Sequence, residues 1–164
     1  GNRRMCEKKI TELEEKEMSS DSVYAIVSLD LNFLKRTNDT YGHKKGDELI
    51  KSFSDVLSNV FSLYGTVTRT GGDEFVVILD DITEEKVKSL LAQMLEQMEE
   101  KNKSASDVIL STAYGYAMKG EIPSKQEKTE EIKLKVVDIG PRAVYRIADD
   151  RMYENKRKSK LGRQ

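Results

Sequence analysis

Residues 66–79 read TVTRTGGDEFVVIL, two β-branched runs on either side of a Gly-Gly turn. Threonine, valine and isoleucine favour extended strands, and two adjacent glycines permit the positive φ angles that a tight reversal needs. The stretch therefore predicts a β-hairpin with strands over 66–70 and 75–79. Its turn carries two acidic residues, Asp73 and Glu74, directly after glycines that have no side chains.

Outward from the hairpin, helix-like and strand-like segments alternate along the chain. Apolar residues recur at helical spacing in some segments, and short apolar runs typical of buried strands occur in others. The predicted helices span 2–18, 46–61, 87–98 and 141–158, and the remaining predicted strands span 23–29 and 108–117. The order β-α-β-β-α-β predicts an α+β fold with a ferredoxin-like core, in which helices pack on an antiparallel sheet. The alternating stretch 132–137 is a candidate for an extra strand.

Composition and charge describe a single, heavily solvated domain. The 164 residues are 35% charged and 37% hydrophobic, and the formal net charge of −1 gives no basic character that would indicate nucleic acid as a partner. The single cysteine, Cys6, excludes a disulfide framework and fits a reducing compartment. No apolar run approaches the ~20 residues that span a bilayer. We therefore expect a cytoplasmic domain, whose parent protein could still be anchored to a membrane by another segment.

Acidic residues fall at the ends of two predicted strands. Asp30 follows the first apolar run, while Asp73 and Glu74 follow the hairpin turn. If the first strand lies beside the hairpin, these carboxylates face one another at one edge of the sheet, and carboxylates with substrate phosphate oxygens are the ligands that Mg²⁺ prefers. Aspartate and glycine are also common turn residues. On spacing alone, a turn without a metal is the stronger interpretation.

Motifs in four places follow the order of a known family. The sequence RTGGDEF at 69–75 is preceded by DLNFLKRTND at 30–39 and YGHKKGD at 41–47, and is followed by ADDRMYENK at 148–156. In addition, NRR at 2–4 resembles the end of an opening motif. Together these motifs resemble the GGDEF-domain diguanylate cyclases over nearly the whole chain.

The resemblance implies one GGDEF catalytic domain over residues 1–164, cut from a longer signalling protein with an upstream sensory domain. Segment 119–140 is longer than is usual in the family and is interpreted as a solvated insertion. In this family, one GTP binds to each of two facing domains, and each 3′-hydroxyl attacks the α-phosphate of the other nucleotide. A homodimer that condenses two GTP into cyclic di-GMP and two pyrophosphates is therefore implied.

The family's metal ligands correspond to residues at the two strand ends. By resemblance, Asp30 and Asp73 would hold Mg²⁺ with help from the carbonyl of Leu31, and Mn²⁺ is the alternative ion. The metal would neutralise the triphosphate and polarise the attacked phosphorus. Glu74 would either support the metal or assist deprotonation of the hydroxyl, and the resemblance does not separate these roles.

Phosphate-binding residues are implied on both sides of the acidic residues. The backbone at Phe33 and Leu34, with Lys35, would cradle phosphates, and Lys156 would add a cation from the closing helix. Lys160 would help, although arginine is usual at that position and a lysine gives up bidentate geometry.

Guanine recognition is implied for Asn38 and Asp47, because a carboxylate accepts hydrogen bonds from N1–H and the exocyclic amine, and adenine lacks that donor pair. Gly71 and Gly72 would let the nucleotide approach the backbone closely. Arg69 would either contact the nucleotide or brace the turn, and both interpretations stand equally.

Departures from the family pattern bear on regulation. Many members carry Arg-x-x-Asp before the hairpin, where product binds, and here residues 62–65 read SLYG. Asn32 replaces a frequent aspartate. The alternative to an active cyclase is a catalytically silent GGDEF module that binds GTP or a protein partner as a regulator. A purely structural sensory domain would not explain why carboxylates, glycines and base-reading residues coincide.

Overall fold

The protein folds around one antiparallel sheet, seen in a computed structural model that describes residues 2–17, 23–105, 107–120 and 140–161. Five helices and four strands form in this part of the chain. In order, they are α1 (Asn2–Glu17), β1 (Ala25–Leu31), α2 (Leu34–Tyr41), α3 (His43–Phe61), β2 (Gly65–Arg69), β3 (Glu74–Leu79), α4 (Glu84–Lys103), β4 (Thr112–Met118) and α5 (Pro141–Leu161).

The predicted hairpin and the first strand lie side by side in the sheet. The strand order is β2-β3-β1-β4, and every pairing is antiparallel. The register places Leu29 opposite Phe75 and Asp30 opposite Glu74. Every residue of β1 is buried, which is why its sequence is almost continuously apolar rather than alternating.

Helices cover both faces of the sheet and form two separate cores. One core joins α3 and α4 to alternate strand residues, and in it Phe53 packs edge-on against Phe75 with ring centroids 5.0 Å apart. The other core joins α1 and α5 to the intervening strand residues, such as Val76, and includes the buried Cys6. The expected α+β fold with a ferredoxin-like core is confirmed.

Helix α2 was not expected from the sequence. Its residues read LKRTNDTY, and only Thr37 is buried, so no apolar periodicity marks the helix. The predicted helix over 46–61 also begins earlier, at His43, because Gly42 alone separates it from α2. Gly42 has a φ of 93°, a conformation that glycine adopts without strain.

The strand predicted over 108–117 starts later than expected, at Thr112. The segment before β4 is instead bound to the end of α4 through the side-chain amide of Asn102. Its Oδ1 accepts a hydrogen bond from the Leu110 N–H at 2.7 Å, and its Nδ2 donates to the Leu110 carbonyl at 2.9 Å. The candidate strand 132–137 lies outside the described residues, as does most of 119–140. Among the described helices, none is long and apolar enough to cross a membrane.

Candidate active site

Two acidic residues from distant parts of the chain meet where β1 ends. The Leu31 N–H donates to the Asp73 carbonyl at 2.8 Å, which fixes the hairpin turn against the end of β1. Asp30 is only 7% exposed. Burial is the largest cause that raises its pKa above the usual value, and the nearby Asp73 carboxylate raises it further. The sheet therefore holds two carboxylates close together, as the sequence predicted.

Lys156 on α5 pairs with the buried carboxylate. Its Nζ donates a hydrogen bond to Oδ2 of Asp30, across the sheet face that α5 covers. Partial burial alone would lower the pKa of Lys156, but the hydrogen bond to Asp30 and the charge of that residue raise it overall. The other oxygen, Oδ1 of Asp30, is buried and has no hydrogen-bond partner within the described part of the chain.

Glu74 and Arg69 lie around the glycine turn, and Glu74 is also the cross-strand partner of Asp30 in the sheet. Oε2 of Glu74 lies 2.8 Å from the point that a Cβ on Gly71 would occupy, so this carboxylate packs against the turn. Arg69 braces the same turn, since its Nε donates to the carbonyls of Gly71 and Gly72, each at 3.1 Å. Of the two roles expected for Arg69, contacting the nucleotide or bracing the turn, the structure shows the contacts of the second.

The chemistry of the acidic pair fits a divalent metal. Across the described ranges, no group of three or more His, Cys, Asp or Glu side chains gathers in a way that could hold a metal. A buried carboxylate oxygen without a partner is costly unless an ion or a donor satisfies it. Asp30, with Asp73 beside it, supplies the one or two carboxylates that Mg²⁺ takes in nucleotide sites, where waters and phosphates complete the shell.

A cleft of about 560 Å³ opens beside this pair. The predicted site residues that line it are Leu31, Phe33, Leu34, Lys35, Asp73 and Lys156. Phe33 has a φ of 66°, a left-handed conformation that costs a non-glycine residue about 1–2 kcal/mol. No described side chain caps the α2 N-terminus that follows Phe33. The N–H groups of this helix end, which have no partner within the helix, make the cleft suitable for phosphate together with Lys35.

The residues expected to read guanine lie on α2 and α3, on either side of the Gly42 turn. Oδ1 of Asn38 is buried without a partner among the described residues. The backbone of Gly46 packs directly against it, because a Cβ at that position would lie 1.7 Å from Oδ1 of Asn38. Asp47, the next residue, is exposed and follows the first turn of α3. Neither Asn38 nor Asp47 lines the 560 Å³ cleft itself.

Five cleft residues were not predicted as site residues, and the side chain of one expected residue is not described. The five are Asn32, Arg36, Asp39, Thr40 and Ser159. Arg36 lies next to Lys35 on α2 and Ser159 lies one helical turn after Lys156 on α5, and this spacing is the signal that could have found these two. The side chain of Lys160 lies outside the described residues. Asn32 directly follows β1 and contacts the segment before β4, since its Nδ2 donates a hydrogen bond to Oγ of Ser111 at 2.9 Å.

The sheet topology is that of the nucleotidyl-cyclase and polymerase-palm type of fold. On this fold the protein carries a carboxylate pair beside a cleft suited to phosphate. Comparison with known families then gives a particular assignment. The family model described as "Diguanylate cyclase, GGDEF domain" matches residues 1–161, and the chain belongs to the GGDEF family.

Named relatives agree with this assignment. The chain is 31% identical over 133 residues to the probable diguanylate cyclase DgcT of Escherichia coli K12, an alignment that covers 81% of this chain and 27% of that protein. It is 34% identical over 79 residues to the diguanylate cyclase DgcS of Shewanella oneidensis, covering 48% of this chain and 27% of that protein. The matched region spans about a quarter of these curated relatives.

A solved structure gives the same fold. The active GGEEF domain of a diguanylate cyclase from Vibrio cholerae superposes with a TM-score of 0.75, at 21% identity, and the match covers 96% of this chain and 91% of that chain. At this level of identity, the similarity describes the fold alone.

Proposed function

We propose that this domain is an active diguanylate cyclase, which converts two GTP into cyclic di-GMP and two pyrophosphates. One observation carries the proposal. The hairpin turn places Asp73 beside the buried Asp30, whose Oδ1 has no partner in the described structure, at the mouth of a cleft lined by a helix N-terminus and Lys35. Membership of the GGDEF family supports the same activity.

The reaction needs charge neutralisation and alignment more than covalent help from the protein. In each of two equivalent steps, a 3′-oxygen forms a bond to an α-phosphorus, the bond from that phosphorus to the bridging oxygen breaks, and pyrophosphate leaves. A divalent ion held by Asp30, Asp73 and the Leu31 carbonyl would neutralise the triphosphate and polarise the α-phosphorus. The α2 N-terminus, Lys35 and Lys156 would bind the phosphates.

Other residues would handle the hydroxyl proton and bind the guanine base. Glu74 is exposed next to the turn, where it would either accept the hydroxyl proton or support the metal. Asn38 and Asp47 would accept and orient the guanine edge. Gly71 and Gly72 would leave room for the nucleotide, and Lys160 would add a cation near the phosphates.

The direct test is the product. The protein is incubated with GTP and Mg²⁺, or with Mn²⁺ as the alternative ion, and products are identified by mass. We expect cyclic di-GMP and pyrophosphate, and no product when the metal is chelated. A catalytically silent module would bind GTP and leave it unchanged, and a structural domain would not bind it. Either result would reject the proposal.

Two GTP molecules must face each other, so we propose a two-fold pair of domains as the active unit. Specific activity should therefore rise with protein concentration as the pair forms. Activity per molecule is measured across a dilution series alongside sizing by light scattering. A flat profile at concentrations where only monomer is present would contradict pairing. The curated relatives are about four times longer than the matched region. We propose that the domain works with an upstream sensory domain and that 119–140 is an insertion.

A further inference from the structure

The charge of the buried Asp30 is balanced from within the chain. Asp30 has a side chain only 10% exposed, and its Oδ2 accepts a hydrogen bond from the ammonium of Lys156, which is itself 28% exposed. Asp73 brings a second carboxylate beside them. The site therefore holds two carboxylates and one ammonium group before any ligand binds.

An ammonium in this position competes with a divalent ion. Both cations are attracted to the same carboxylate, and each repels the other at a separation where solvent screens little. With Lys156 on Oδ2, only Oδ1 of Asp30 is left for a metal. Moving Lys156 away without a new partner would leave its charge uncompensated, which is unfavourable.

We propose that Lys156 is an internal counter-ion, which occupies Asp30 in the ligand-free domain and transfers to the nucleotide phosphates when metal and nucleotide bind together. This inference rests on the proposed function. Lys156 lines the same cleft as the α2 N-terminus, and its ammonium sits on a flexible four-carbon stem, so phosphates in that cleft offer it a nearby alternative partner. Metal and nucleotide should then bind cooperatively, with the same coupling factor in either order.

The test measures metal binding rather than turnover. Mn²⁺ is titrated into the protein and followed by electron paramagnetic resonance, with and without α,β-methylene-GTP, which cannot release pyrophosphate. For Lys156→Met, we expect Mn²⁺ to bind about tenfold or more tightly than to wild type without nucleotide, because a competing charge has been removed. The analogue should strengthen Mn²⁺ binding less in this variant than in wild type.

Two control variants and a second test variant separate the effect of the Lys156 charge from other effects of substitution. Lys158→Met removes an exposed lysine from the same helix and should leave Mn²⁺ binding unchanged. Lys156→Arg keeps the charge and should keep the weak Mn²⁺ binding of wild type. Lys156→Gln retains a hydrogen-bond donor for Asp30 without charge, so it should tighten Mn²⁺ binding and serves as the measured variant if Lys156→Met does not fold.

The outcomes distinguish this inference from the proposed function. If wild type fails to bind Mn²⁺ even with the analogue, the metal site and the proposed cyclase are both wrong. If wild type binds Mn²⁺ with the analogue and Asp30→Asn abolishes it, the metal site stands. In that case, unchanged or weaker Mn²⁺ binding by Lys156→Met or Lys156→Gln would overturn the counter-ion role alone.

Discussion

The two ends of the candidate active site are built in different ways. At the acidic end, Asp30, Asp73 and Lys156 come from three separate parts of the chain and are held by the sheet and by α5. At the base end, where the guanine base is proposed to bind, three residues come from one continuous segment formed by α2, the Gly42 turn and α3. These residues are Asn38, Gly46 and Asp47. The acidic end is partly buried and pairs Asp30 with Lys156, whereas the base end contains one exposed carboxylate and one buried amide oxygen without a described partner.

This difference separates the effects that mutations should have. In the proposed cyclase, groups at the acidic end would meet charge that develops during the reaction, so their loss should lower kcat. Groups at the base end would contact a part of the nucleotide that does not react, so their loss should change KM and base selectivity. Substitutions at the two ends therefore test whether the site is divided in this way.

The largest effect is expected from Asp73→Ala at the acidic end. If Asp73 holds the metal as proposed, its removal takes away charge that the transition state needs, and kcat should fall by roughly 10³-fold or more. The side chain is not part of either hydrophobic core, so the melting temperature should change little. Pyrophosphate release and thermal melting are measured with Asp55→Ala, an exposed aspartate on α3, as the matched control. Near-normal turnover of Asp73→Ala would reject the metal-binding role.

The next effect is expected from Gly46→Ala at the base end. Alanine within a helix is normally favoured over glycine by about 1 kcal/mol. Here its Cβ would lie 1.7 Å from Oδ1 of Asn38, so the amide must move. We expect KM for GTP to rise about 10- to 100-fold with kcat changed less. Lys51→Ala, an exposed substitution on the same helix, is the control. A fall in kcat at unchanged KM would contradict the division between the two ends.

A smaller effect is expected from Asp47→Ala, which tests base choice directly. If Asp47 accepts hydrogen bonds from guanine, the wild-type domain should use GTP far better than ATP, because unpaired polar groups make the wrong base costly. The variant should lose about 10- to 100-fold of this discrimination, mainly through weaker use of GTP. The ratio of kcat/KM for the two nucleotides is the measurement. Equal use of both by wild type would show that the base end does not read guanine.

The sequence predicted the acidic end better than the base end. The hairpin and the first strand have strong local signals, and their adjacency follows from the fold, so the proximity of Asp30 and Asp73 could be expected. Helix α2 has no apolar periodicity and was missed. Without it, the packing of Gly46 against Asn38 could not be seen.

Long-range ion pairs were equally inaccessible from the sequence. Lys156 and Asp30 are 126 residues apart, and the motifs suggested separate roles for them, one with phosphate and one with metal. Their direct pairing depends on how α5 crosses the sheet, which the periodicity of α5 alone does not determine. The role of Arg69 as a brace likewise needed the positions of the turn carbonyls.

The smallest effect is expected away from both ends, at the turn between α3 and β2. The resemblance implies that family members with an Arg-x-x-Asp motif there bind product at it, and charge-assisted bonds of that kind are roughly twice as strong as neutral ones. Ser62 is neutral, and a Cβ on Gly65 would lie 1.9 Å from the Ile78 carbonyl oxygen, so no carboxylate fits at position 65. Product should therefore inhibit only by competing with GTP in the cleft, and Ser62→Ala should change the inhibition constant by less than about twofold. Inhibition is measured at several GTP concentrations, with Ser54→Ala on α3 as the matched control. Inhibition that excess GTP does not relieve, and that Ser62→Ala weakens, would show a second product site at this turn.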